Sequence, residues 1–90
     1  MLTRTWTVEV FITENEEERR THADARLHSD ARAVLRGEGV ARRSPADREV
    51  PEIGAELATA RALADLAYRL LDVTAADIEQ FTHRPAHLTG

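Results

Sequence analysis

The sequence contains no cysteine, no lysine and no long apolar run. Without cysteine there can be no disulfide, no thiolate metal site and no cysteine nucleophile. Without lysine, all 12 basic side chains are arginines. Together with abundant Ala, Arg and Asp, this is the composition of a GC-rich genome and says nothing about mechanism. The amino-terminal stretch MLTRTWTVEVFITENEEERR holds only a short apolar segment interrupted by Glu9. It lacks the apolar region and cleavage pattern of a signal peptide, and no segment could span a bilayer. A soluble cytoplasmic protein with no membrane partner is the expectation. Excess positive charge is absent too. Sixteen acidic residues against 12 basic ones leave a net charge of −4. General affinity for polyphosphate needs clustered positive charge, so only a local basic patch could serve nucleic acid.

Ninety residues make one small domain, too short to bury a large fraction of its surface. A partner subunit would help it. The pattern predicts three strands. In residues 5–12, TWTVEVFI, Trp6, Val8, Val10 and Ile12 alternate with Thr5, Thr7, Glu9 and Phe11. Residues 13–20, TENEEERR, are a charged turn. Residues 21–28, THADARLH, alternate again, with Thr21, Ala23, Ala25 and Leu27 opposite His22, Asp24, Arg26 and His28. The alanines leave a helix as an alternative there, but the alternation favours a strand. After a turn at Ser29-Asp30, residues 33–43 form the third strand. Leu35, Gly37, Gly39 and Ala41 share one face; Val34, Arg36, Glu38, Val40 and Arg42 share the other. Glycine within a strand often marks close approach by another backbone, here an Ala-rich helix.

Ser44-Pro45 predicts a turn, with a short helical turn at 45–48 and an extended Val50 before Pro51. A long amphipathic helix should run from Pro51 to about Asp72. Its expected inward stripe is Ile53, Leu57, Ala60, Ala64, Ala67 and Leu71, widened by Leu63, Leu66 and Leu70. Arg61–Asp65 and Asp65–Arg69 are spaced to form pairs on its outer surface. Thr74 and Asp77 resemble a capping box opening a second, short helix over 75–82, stopped by Arg84-Pro85 and followed by an extended tail to Gly90. The fold class is therefore α+β. A three-stranded antiparallel β-β-β-α sheet carries one long helix on one face, with a short C-terminal helix. The other sheet face, or a sheet edge, is expected to self-associate.

No catalytic constellation emerges. Ser29 and Ser44 lack the GxSxG elbow, and no base–nucleophile pair is legible. Gly37-Glu38-Gly39 lacks the context of a nucleotide loop. His83 and His87 are spaced like some zinc pairs, but Pro85 between them prevents a shared helical face. His22 and His28 would lie about 20 Å apart along a strand, too far for one ion. The acidic turn lacks EF-hand spacing. The expectation is no enzyme, no metal and no cofactor. The candidate nucleic-acid contacts are Arg26, Arg36, Arg42 and Arg43, because the guanidinium fork suits phosphate. Asp24 and Glu38 lie among them, so the competing reading is a mixed-charge surface closed by internal ion pairs.

The runs ARRSPADREVPEIGAELATARALADLAYRLL and DIEQFTHRPAHL resemble an actinobacterial family of small uncharacterised domains with a double-stranded-RNA-binding-like fold. The strand region, Trp6 to Arg43, is similar more loosely. The resemblance implies a β-β-β-α core in a homodimer. It also implies a likeness in shape to ribosome hibernation-promoting factors, hence a stress-type regulator with ribosome or rRNA as partner. The alternative is a protein–protein interaction module with no nucleic-acid role. Two departures bear on this. The helix starts PEIGAEL, without the basic start that duplex-RNA binders present to phosphates. Glu38 stands between the two glycines, where the family pattern favours an apolar residue. The family brings no catalytic residues with it.

Overall fold

The computed structural model describes residues 1–43 and 51–88. Three strands, β1 (Thr7–Asn15), β2 (Arg20–His28) and β3 (Leu35–Arg42), precede one helix, α1 (Pro51–Thr82). The strands form an antiparallel sheet in the order β1-β2-β3. Phe11 lies opposite Asp24, and Asp24 opposite Glu38. Residues 44–50, with the expected turn and the extended Val50, fall outside the described residues, as does the end of the tail. The first turn is tighter than the charge run suggested, so β1 and β2 extend into it. Glu18 N–H donates to Asn15 Oδ1, and Arg19 takes a positive φ of 52° to close it.

The glycines of β3 decide where the helix sits. A side-chain carbon at Gly39 would strike Ala58 O and Ala62 N; one at Gly37 would lie 2.7 Å from Leu66 Cα. The helix backbone therefore rests on the strand, and only small side chains fit between. Ala58, Ala62 and Leu66 are the buried helical residues, against Ala23, Ala25, Leu27 and Ala41. This corrects the expected stripe in part: Leu66 is buried and Leu70 packs against the core as expected, but much of the main line turns away. Ile53 and Leu57 face outward, as do Ala60, Ala64 and Ala67. The reason is steric: a Leu or Ile in place of Ala58 or Ala62, whose backbone lies on Gly39, would lift the helix off the sheet, while Leu66 is taken in beside Gly37. The resulting core is built of methyl groups, with no large side chain fully buried.

The helix is also longer than expected. It runs unbroken for 32 residues, about 48 Å at 1.5 Å per residue, so 75–82 is its continuation and not a separate short helix. Thr74 does not cap; its hydroxyl donates to Leu70 O at 2.8 Å, within the ladder. Asp77, the other half of the expected box, accepts from Arg32 in the β2–β3 connection at 2.6 Å. Nothing between Asp72 and Ala76 breaks a helix, since Gly and Pro are absent there. The end comes at His83, whose φ is 56° and whose N–H donates to Glu79 O. That is the left-handed cap that usually uses glycine.

Candidate interaction surface

The open sheet face is organised by Asp24. This carboxylate is 6% exposed and receives two guanidiniums, from Arg36 at 2.5 Å and Arg26 at 3.0 Å. The Arg36 hydrogen bond, reinforced by Arg26 and partly opposed by desolvation, holds the Asp24 carboxyl below its ordinary range. Arg26 also stacks over Phe11, 4.4 Å from the ring centroid, a cation–π contact. Two more exposed pairs flank the centre, His28 with Glu9 at 2.5 Å and His22 with Glu38 at 4.0 Å.

The four arginines singled out from the sequence thus part company. Arg26 and Arg36 come together, but around a shared carboxylate. Arg42 is exposed at the end of β3, opposite Arg20 in register. Arg43 lies just beyond, its N–H donating to Arg19 O at 2.9 Å. These four positions form no continuous positive track; Glu9, Asp24 and Glu38 are threaded through the face.

The two sheet edges differ. Register places the outward backbone groups of β3 at even-numbered residues, and helix side chains take two of them. Asp65 accepts from Glu38 N–H at 2.8 Å, and Arg61 donates to Val40 O at 2.7 Å. The expected Arg61–Asp65 pair is replaced by these bonds, while Asp65–Arg69 forms at 3.1 Å. Sequence reasoning missed this edge protection. Its only signal was a polar stripe beside Ala58 and Ala62, meaningless until the helix is placed.

At the other edge, β1 is left uncovered because α1 lies over β2 and β3. Every β1 residue but Val10 is exposed. On its helix side Val8 and Ile12 are 45% and 46% exposed, and Trp6, just before the strand, is 43% exposed. Leu63, on the helix flank opposite Arg61 by the 100° step of the helix, is 42% exposed beside it. Trp6 is steadied by its indole N–H, which donates to Asp30 at 3.2 Å. The outer stripe of α1, with Ile53, Leu57, Ala60, Ala64 and Tyr68, is a second apolar surface. Among the described residues no group of three or more His, Asp or Glu is placed to hold a metal ion, and no helix is long and apolar enough to cross a membrane.

Comparison with known proteins gives a consistent result. A family model described as Rv2632c-like matches residues 4–87. The uncharacterised protein MT1780 of Mycobacterium tuberculosis is 52% identical over 83 residues, 92% of this chain and 85% of the relative. The uncharacterised protein Rv2632c of the same species is 49% identical over 82 residues, 91% of this chain and 85% of its own. The crystal structure of Rv2632c superposes with a TM-score of 0.82 at 48% identity, covering 94% of this chain and 98% of that one.

Proposed function

This chain belongs to the Rv2632c-like family, and from that premise and its own surface we propose that it is a self-associating, non-catalytic protein-interaction domain. The observation that carries the reading is where the apolar side chains sit. The core takes mainly alanines, while Trp6, Val8, Ile12, Ile53, Leu57 and Leu63 are left exposed. A 90-residue chain without disulfides gains from burying such surface in a second copy.

The rival reading is a stress-type regulator that binds the ribosome, as the duplex-RNA-binding likeness and the comparison with hibernation factors imply. It would rest on Arg42, exposed at the end of β3, on Arg43, and on Arg26 and Arg36, whose charge Asp24 already offsets. Glu9, Asp24 and Glu38 on the same face oppose a phosphate backbone, so the protein reading is favoured.

Sedimentation equilibrium tests the proposal. The native chain should run at twice its 10.1 kDa mass, and a charge introduced into the interface, by Ile12→Glu or Ala64→Glu, should return it to the single mass. A native chain that stays monomeric at every concentration overturns the reading. Co-sedimentation with ribosomes at low and moderate salt is the companion measurement, and none is expected. Salt-sensitive pelleting, lost in an Arg26→Glu/Arg36→Glu variant, would instead establish the ribosome reading.

A further inference from the structure

We propose that a hollow at the open end of the β3 edge binds an apolar α-amino acid of about leucine size, held as its zwitterion. The inference goes beyond the reading above and does not depend on self-association. Along the outer edge of β3 the helix supplies a partner every fourth residue, Arg61 to Val40 O and Asp65 to Glu38 N–H. The next step along both elements brings Arg69 to the level of Arg36, and there the series stops. Arg69 turns its Nε back to Asp65 at 3.1 Å. The outward backbone groups of Arg36 are left without a partner among the described residues. Beside that gap lies a hollow of about 370 Å³, lined by Val34, Leu35, Arg36, Arg69, Asp72 and Val73. Small-molecule sites have volumes of about 300–1,000 Å³.

The lining is divided by chemistry. Val34, Leu35 and Val73 form an apolar wall. Arg69 supplies donors: Asp65 takes its Nε, and both Nη groups remain unbonded among the described residues. Arg36 is committed to Asp24 through its Nε and one Nη, but its backbone N–H faces the same side. Asp72 stands one turn on from Arg69, and its carboxylate enters no hydrogen bond or ion pair among the described residues. Opposite charges are thus presented separately to one hollow. A ligand with only a carboxylate would meet the repulsion of Asp72; one with only an amine would meet that of Arg69. An α-amino acid carries both charges on one carbon. Its carboxylate accepts from Arg69 Nη and Arg36 N–H, a charge-assisted contact of the stronger kind. Its ammonium group donates to Asp72, and its side chain covers Val34, Leu35 and Val73. A longer strand is excluded, because Asp65 and Arg61 occupy the edge at Glu38 and Val40.

An amide NMR titration of the full chain with L-leucine tests this. Shifts should saturate and concentrate at Arg36, Arg69, Asp72 and Val73. Removing one ligand group at a time separates the contacts. Leucinamide, without the carboxylate, and 4-methylpentanoate, without the amine, should each bind at least about tenfold more weakly than leucine, as should glycine, without the apolar side chain. Asp72→Asn should lower leucine affinity about tenfold and leave that for 4-methylpentanoate unchanged or higher, while Arg69→Gln should weaken both. Both side chains are exposed, and unchanged resonances elsewhere confirm that the variants fold. Leucine at about 10 mM that moves no resonance overturns the proposal. Shifts confined to another surface, equal binding of leucine and 4-methylpentanoate, or native leucine affinity in Asp72→Asn overturn it too. None of these results bears on self-association, which the sedimentation mass decides.

Discussion

Asp24 anchors the open sheet face by accepting from Arg26 and Arg36 at once. Its folded pKa lies below the ordinary 3.8, so the unfolded chain takes up that proton first. The stabilisation is fully present above 3.8 and is lost as pH falls through the lower folded value. Asp65, lowered mainly by the Glu38 N–H and then by Arg69, adds in the same direction, as does Asp30, lowered by Arg4 and Trp6. Asp24→Asn should therefore lower the urea midpoint at pH 6, and the gap from the native chain should narrow towards pH 3. Gly39 carries a different constraint. Gly39→Ala drives a methyl group into the helix backbone at Ala58 and Ala62 and should cost about 3 kcal/mol in urea unfolding. The close approach was legible in the sequence, because glycines inside an alternating strand have few other uses. The sharing of one carboxylate by two arginines was not, since i, i+2 spacing and cross-strand register had to combine first.

At the scale of elements, the single long helix has consequences for Thr74. A threonine that caps a helix loses about 1 kcal/mol on mutation to alanine. Thr74 lies inside α1 and bonds back to Leu70, so Thr74→Ala should change the urea midpoint hardly at all. A loss of cap size would mean that the helix is divided there. The three strands and the main helix could be read from period and punctuation, and the register kept residues 7–12, 21–28 and 35–42 on their expected faces, while 13–15 and Arg20 joined the strands from the expected turn. The helical stripe could not. Two apolar stripes run along α1, and hydrophobicity alone favours the one with the larger side chains. Sterics over Gly37 and Gly39 chose the smaller.

For the whole molecule, the consequence is a thin body, 53 × 30 × 20 Å, with apolar groups on its outside. If a second copy covers them, folding is linked to association, and the thermal midpoint must rise with protein concentration. A scanning-calorimetry series should show that rise for the native chain and lose it in Ile12→Glu. The charge balance sets a further expectation at this scale. A chain of net charge −4, whose best-placed arginines are held by Asp24, should show little retention on a heparin column.

Alternation, glycine placement and helix periodicity determined the order of elements and the antiparallel sheet, because these depend on local backbone geometry and on which side of a strand each residue occupies. Tertiary structure decided which helical stripe is buried, which edge is closed by Arg61 and Asp65, and that β1 is left bare. Those outcomes turn on the lateral position of one rod across three strands. That position is fixed by backbone contact over two glycines, between residues nineteen or more apart in the chain, which no local pattern encodes.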